Sequence, residues 1–292
     1  MLPTMKKVII GIVLSIMFLL MIVGLSGCSA ENRDFTFVRV GEFYAVTGGA
    51  PDSEGHLKIP ARHRGIDVIM INYSAFLGNE EIKSAFIPNT IESIHSWAFK
   101  DTINMRSIEF ESNSRLRAIV SGGDVLNGTI GERDAGAFEN SGIESMVLPR
   151  SLEWIGRQSF LGTKNLERVD FETNSLLDTI AFAAFANSSI EWIRFPASLR
   201  VIGMSAFSLS SNLSKIVQEQ GSNLERIESN AFRNTTSLIS FIIPTSVIEL
   251  STFVFYGWES HQTIYVEERS ELLGLPGPNN SATIIWNAPV YL

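Results

Sequence analysis

A second cysteine is missing from this chain: Cys28 stands alone among 292 residues. No internal disulfide can staple the fold and no thiolate cluster can hold a metal, so a packed core must supply the stability. Histidine is also sparse. His56, His63, His95 and His261 are scattered, at no metal-ligand spacing. A Gly-x-Ser-x-Gly elbow is absent, which leaves a hydrolase triad without an anchor, and no glycine-rich phosphate loop occurs. Cations are outnumbered, with 23 Lys and Arg against 31 Asp and Glu, which argues against a nucleic-acid partner. These absences predict a protein without catalysis, metal or cofactor. Apolar content of 45% excludes disorder as the default.

The lone cysteine has a specific context. Lys6 and Lys7 precede an apolar run from Val8 to Gly24, which ends in Leu25-Ser26-Gly27-Cys28. A plain signal peptide ends at a small-residue cleavage site. Here the small residues run directly into cysteine, which resembles a bacterial lipobox. That resemblance implies a signal peptide over 1–27 and a mature protein lipidated on Cys28, held at the membrane through that lipid. The alternative is an uncleaved anchor, for which the run is at the short end. Without Lys6 and Lys7 the balance is 21 cations to 31 anions, about −10. Ser29, not Asp, follows the cysteine. By analogy this leans towards outer-membrane sorting in a two-membrane bacterium, and the expected location is the cell envelope or surface.

The rest of the chain is organised by one spacing. Phenylalanine recurs in an Ile/Leu-x-x-Ile-x-x-x-Ala-Phe-like frame at Phe76, Phe99, Phe138, Phe160, Phe185, Phe207, Phe232 and Phe255. The gaps are 23, 39, 22, 25, 22, 25 and 23 residues. A period of this size marks a stacked solenoid of leucine-rich-repeat type. Between the phenylalanines lie segments such as Leu166-Glu-Arg-Val169-Asp-Phe171, with apolar residues at period two. They predict one parallel sheet of short strands, with a tight helical or 3₁₀ turn at each Ala-Phe. Two endings alternate: Pro88, Pro149, Pro196 and Pro244 close one kind of segment, and Phe-Glu-Ser/Thr-Asn-Ser, or the degenerate Gln218 to Ser222, closes the other. The repeat is therefore expected to be a pair of coils. Residues 28–42 are expected to form anchor and tether, 43–266 the solenoid with an insertion near 121–134, and 267–292 a cap and tail.

The frame resembles the BspA-type leucine-rich repeats of bacterial surface proteins. Leu199-Arg-Val-Ile202-Gly203-Met-Ser-Ala206-Phe207 carries the likeness, as does Ile190 to Phe195 followed by Pro196. So do Tyr44 to Gly48, Leu57 to Pro60 and Gly65 to Val68 at the N-terminal end. It covers about Phe43 to Val266. The resemblance implies an exported, surface-displayed interaction protein, with members described as adhesins for host or matrix proteins. The third residue after the phenylalanine is often cysteine in that family. Here it is Asn79, Thr102, Ser141, Thr163, Ser188, Ser210 and Thr235, expected to bond to turn backbone. Trp258 breaks this column, which fits a terminal cap.

Residues between the apolar anchors should point outward. Arg106, Glu109, Glu167, Arg168, Asp170, Glu191, Trp192 and Arg194 are the candidate ligand-binding face, with Trp192 and its arginines as a possible hot spot. The plainer reading is a solvated face with cross-strand ion pairs. The expected partner is an extracellular or envelope protein, a host protein included. A glycan is the rival partner, with Trp97, Trp154 and Trp192 as platforms, and a structural role in the envelope is a third reading. The insertion contains Gly-Gly-Asp-x-Leu, a piece of a calcium-binding nonapeptide, but in one copy of a motif that works in tandem. A tolerated loop or a ligand-contacting loop are the other readings.

Overall fold

The computed structural model describes residues 34–119, 136–267 and 279–288. Cys28, its leader and the 121–134 insertion lie outside these residues. The described residues belong to one compact unit that begins at Asp34.

An antiparallel hairpin opens the unit, β1 (Phe35–Val40) with β2 (Phe43–Gly49). β3 (His56–Lys58), β4 (Arg62–His63) and β5 (Ile66–Ile71) follow. Each later coil has a long strand and a short one: β6 (Ser84–Ile87) and β7 (Ser93–Ile94), then β8 (Ser107–Phe110) and β9 (Ala118–Ile119). Next come β10 (Ser145–Leu148) and β11 (Trp154–Ile155), and β12 (Arg168–Phe171) and β13 (Thr179–Ile180). β14 (Trp192–Phe195) and β15 (Val201–Ile202), β16 (Lys215–Gln218) and β17 (Arg226–Ile227), and β18 (Ser240–Ile243) and β19 (Glu249–Leu250) continue the series. β20 (Thr263–Glu267) and β21 (Thr283–Ala288) end it.

Stacking produces two long sheets where the sequence suggested one. Long strands pair in the order β16-β14-β12-β10-β8-β6-β3, and β18-β20-β21 form a separate group of three. The short strands continue β5 into a second sheet through β7, β9, β11, β13, β15, β17 and β19. Two in-register residues per coil suffice for that sheet, because every neighbour repeats the pairing. Segment 35–40, expected within the tether, is the first strand of the hairpin: Phe35 and Phe37 pack with Tyr44 against the core.

The third face is the Ala-Phe turn, and it is not helical; no helix occurs among the described residues. Residues two before and two after the phenylalanines adopt left-handed backbone from Phe76 to Phe232, as at Gln158 (φ 54) and Gly162 (φ 69) around Phe160, while at Phe255 only Gly257 behind the ring does so. This alternation points every second N–H along the solenoid. Phe160 donates to the Ala184 carbonyl at 2.7 Å and Phe185 to Ala206 at 2.7 Å. A helix would consume those donors within its own coil. The position two after the ring selects Gly, Asn or Asp, at Gly78, Asp101, Asn140, Gly162, Asn187, Asn234 and Gly257, because such residues tolerate φ > 0; Leu209 (φ 63) is the exception. The residue before the ring is Ala in six of the eight coils, with Ser159 and Val254 the others, and the rings stack with centroids 5.0–5.8 Å apart from Phe76 to Phe255.

The hydroxyl column behind the rings is buried and, apart from the unpartnered Ser141, hydrogen-bonded. Thr102, Thr163 and Thr235 each donate to the carbonyl three residues back, at 2.7, 2.8 and 2.9 Å. Ser210 reaches the Phe185 carbonyl of the preceding coil at 2.6 Å. Where Trp258 interrupts the column, its indole N–H donates to the Phe232 carbonyl at 3.0 Å, so the larger residue fills the cap and keeps the bond.

Hydrogen bonding confirms the two-coil period. Glu111, Glu172, Glu219 and Glu267 accept from the N–H after the proline of the preceding coil, at Asn89, Arg150, Ala197 and Thr245. Within these pairs the long strands match over four residues. Between pairs the match shrinks to one residue at β8/β10 and two at β12/β14. The cause is proline. Within a pair the Glu172 N–H donates back to Leu148. At the joint between pairs, Pro149 holds the equivalent position and has no N–H to give.

Candidate binding face

The eight candidate residues lie on or beside the outer face of the long-strand sheet. Inward Val169 and Phe171, or Ile193 and Phe195, are buried, so Arg168, Asp170, Trp192 and Arg194 turn outward. Parallel register aligns Ser145, Arg168, Trp192 and Lys215 in one row.

Four of the eight form one network. The Arg168 guanidinium lies 4.0 Å from the centre of the Trp192 ring and pairs with Asp170 at 3.0 Å. Arg194 pairs with the same carboxylate at 3.0 Å and with Glu219 at 3.8 Å. Asp170 thus holds two arginines against one indole. Trp192 is half-buried and braced, which lowers the entropy lost on contact with a partner.

Three more candidates line an adjacent groove of about 410 Å³: Arg106, Glu167 and Glu191, joined there by Glu144, Lys164, Asn165, Ser189 and Asn212. Arg106 pairs with Glu144 at 3.7 Å, and Lys164 bonds to the carbonyl and side chain of Asn187. Among the described residues no cation pairs with Glu167 or Glu191. The groove is therefore polar with a negative centre. Glu109 stays outside both groups, opposite Phe86 on β6. The sequence pattern exposed the outward columns but not the groove, because Lys164, Asn165, Ser189 and Asn212 come from the turns before the strands.

The other faces are built differently. On the short-strand sheet, Arg117 makes a bidentate pair with Glu153, and Arg200 one with Glu225. The hydrogen bond and charge of Arg200 hold the Glu225 carboxyl below the ordinary glutamate range. Trp154 projects from this sheet, Trp192 from the long-strand sheet, and Trp97 from the turn face, where it meets Tyr73 in a tilted contact at 5.1 Å. Three tryptophans on three faces make no common platform. The histidines also stay apart: His56 contacts Ser84, His63 stacks on Phe37, His95 contacts Ser93, and His261 faces Glu259. Among the described residues no three His, Cys, Asp or Glu side chains are grouped to hold a metal.

Comparison with known proteins agrees with this architecture. The model of the BspA type leucine rich repeat region matches residues 66–121 and 132–268, in six copies. A pneumococcal vaccine antigen, PcpA, superposes with a TM-score of 0.54 at 17% identity, over 88% of this chain and 86% of that one. The leucine-rich-repeat protein of T. pallidum gives 0.52 at 17% identity, over 70% of this chain and 88% of that one. One from Bacteroides ovatus gives 0.50 at 19%, over 87% of this chain and 66% of that one. No curated protein matches the sequence. The family model covers about two thirds of the chain, which belongs to the BspA-type leucine-rich repeat family.

Proposed function

We propose that this BspA-type repeat protein is a non-catalytic binding module, anchored outside the cytoplasmic membrane by lipid on Cys28. It binds an extracellular or envelope protein through the outer face of its long-strand sheet. One observation carries the reading: Glu167 and Glu191, which pair with no cation among the described residues, sit in a groove beside an indole already braced by Arg168 and Arg194. A partner presenting lysine or arginine to the carboxylates and a flat apolar group to Trp192 fits this face. The net negative charge likewise favours a partner of positive charge. The naming of one structural relative as a vaccine antigen is in keeping with display on the cell surface.

Purified residues 29–292 would be assayed against matrix proteins, a glycan array and envelope extracts. For the interaction that emerges, Trp192→Ala should weaken binding about 30-fold, the loss of a hot spot of about 2 kcal/mol. Glu167→Gln with Glu191→Gln should weaken it further and flatten its salt dependence. Unchanged affinity in both variants would move the site off this face. Mass spectrometry of the mature protein tests the anchor, and an unmodified Cys28 would overturn it.

A further inference from the structure

We propose that the joint between β16 and β18 is a hinge, at which the coils from Leu238 onward swing against the rest of the solenoid. Elsewhere each long strand pairs with the next, by one residue at the least. Between β16 and β18 no pairing remains, and the sheet divides there.

Several features of the chain converge on this joint. The inward position held by Ile87, Phe110, Leu148, Phe171 and Phe195 is Gln218 in β16. Its amide donates to the Ile242 carbonyl at 3.0 Å, a side chain standing where a backbone donor would. Pro244 faces it and has no N–H to offer. The facing apolar column is Ile108, Met146, Val169, Ile193 and Ile216, and then widens to Phe241, which wedges against Phe232 and Phe255. At the two earlier joints a serine hydroxyl clamps the preceding coil: Ser151 to the Leu116 carbonyl and Ser198 to Leu177, each at 2.8 Å. The equivalent Ser246 hydroxyl is buried without a partner. Its orphaned state marks a clamp that engages only when the joint closes.

The opposite side of the joint is continuous, which places the axis. Arg226 and Ile227 pair with Glu249 and Leu250 in the short-strand sheet, and Arg226 faces Glu249 at 3.6 Å. Phe232 stacks on Phe255 at 5.8 Å, the widest step in the ring column. Opening therefore occurs on the long-strand face. It shifts the polar face around Trp192 relative to Ile239 and Ile242 on the far side. Ile239 is 64% exposed in a column that otherwise reads Lys83, Arg106, Glu144, Glu167, Glu191 and Ser214.

Thiol accessibility in the full chain tests the hinge. Leu148, Ile243 and Val266 occupy one inward column and are 0%, 0% and 1% exposed. Leu148→Cys, Ile243→Cys and Val266→Cys would be labelled with iodoacetamide, with sites located by peptide mass spectrometry so that Cys28 is scored separately. Ile243→Cys should react about tenfold or more faster than both others, within the span of local opening free energies. Adding Gln218→Phe should remove most of that excess. Equal rates, fastest labelling at Val266 (fraying from the end), or an excess that Gln218→Phe leaves intact would each overturn the hinge. Amide exchange of the unmodified protein gives an independent reading: Ser240 and Ile242, which face β16, should exchange about tenfold or more faster than Phe241 and Ile243, which face β20. Equal protection of the four amides would also overturn it.

Discussion

Replacing Phe185 by alanine tests the core most directly. The ring is fully buried and lies between Phe160 at 5.0 Å and Phe207 at 5.3 Å, with interplanar angles of 8° and 4°. A buried Phe→Ala change costs about 3–5 kcal/mol in transfer and cavity terms. Two ring contacts disappear at once, and the ladder bonds from Phe160 to Ala184 and from Phe185 to Ala206 hold the backbone so that the cavity cannot collapse. Both points place the cost in the upper part of the range, about 4–5 kcal/mol. With an m-value of about 3 kcal/mol per molar urea for a chain this large, the midpoint should fall by about 1.3–1.7 M. Circular dichroism and tryptophan fluorescence would follow the transition. The control is Phe253→Ala, a residue outside the column and 41% exposed, expected to change stability by about 0.5 kcal/mol or less. A loss at Phe185 below about 1.5 kcal/mol, or no larger than the control, would refute the stacked-ring core. Phe185→Asp places a carboxylate in the same site without a partner, and should unfold the unit cooperatively.

Thr163→Val deprives the Phe160 carbonyl of a buried donor and should cost about 1–2 kcal/mol by thermal unfolding, whereas Ser141→Ala removes a buried hydroxyl with no partner and should be neutral or stabilising. The lowered pKa of Glu225 means that its pairing stabilises the fold fully above the ordinary glutamate value of 4.5, and that this contribution is lost as pH falls through the lowered value. Arg200→Met should therefore reduce stability at neutral pH and flatten its decline in acid, and parallel pH–stability curves would refute the pairing. Pro149→Ala supplies the missing donor to the Phe110 carbonyl, a gain of about 1 kcal/mol, against a loss of about 0.4–1 kcal/mol from a looser unfolded chain. Stability should hardly move, while the amide of residue 149 becomes protected from exchange; an unprotected amide would mean that proline does not set the two-coil period.

Much of this fold was legible because a solenoid repeats its evidence. Eight phenylalanines in one frame place the core column, and every inward strand residue follows from period two. The alternation of Pro88, Pro149, Pro196 and Pro244 with Phe-Glu-x-Asn-Ser endings announced a paired repeat before its bonds were visible. The second sheet was hidden because its strands are two residues long, as in Trp154–Ile155, too short for any periodicity. The turn was misread as helical because Ala-Phe is compatible with a helix. The counter-signal is the Asn, Asp or Gly two residues after the ring, which tolerates left-handed backbone. The acidic groove was hidden too, since Lys164, Asn165, Ser189 and Asn212 meet there only once coils are stacked.

The three faces divide the tasks of the molecule. The turn face commits its backbone to the ring column and its hydroxyls to local carbonyls, so substitution there disturbs the stack. The short-strand face carries alternating charges, Arg117 on Glu153 and Arg200 between Asp178 and Glu225, which tie each coil to the next. The outer columns of the long strands carry such ties only in places, as Arg106 on Glu144 and Arg194 between Asp170 and Glu219. Their residues run from Ser84 and Ser107 through Arg168 and Trp192 to Ile239 and Ile242 without a repeating chemistry. A position freed from the stack can change without unfolding it, while the parallel ladder keeps it at a fixed spacing from its neighbours. Variation on a fixed lattice is what selective recognition of a partner requires, so the proposed binding is tested first on these columns, at Trp192 and the carboxylates beside it.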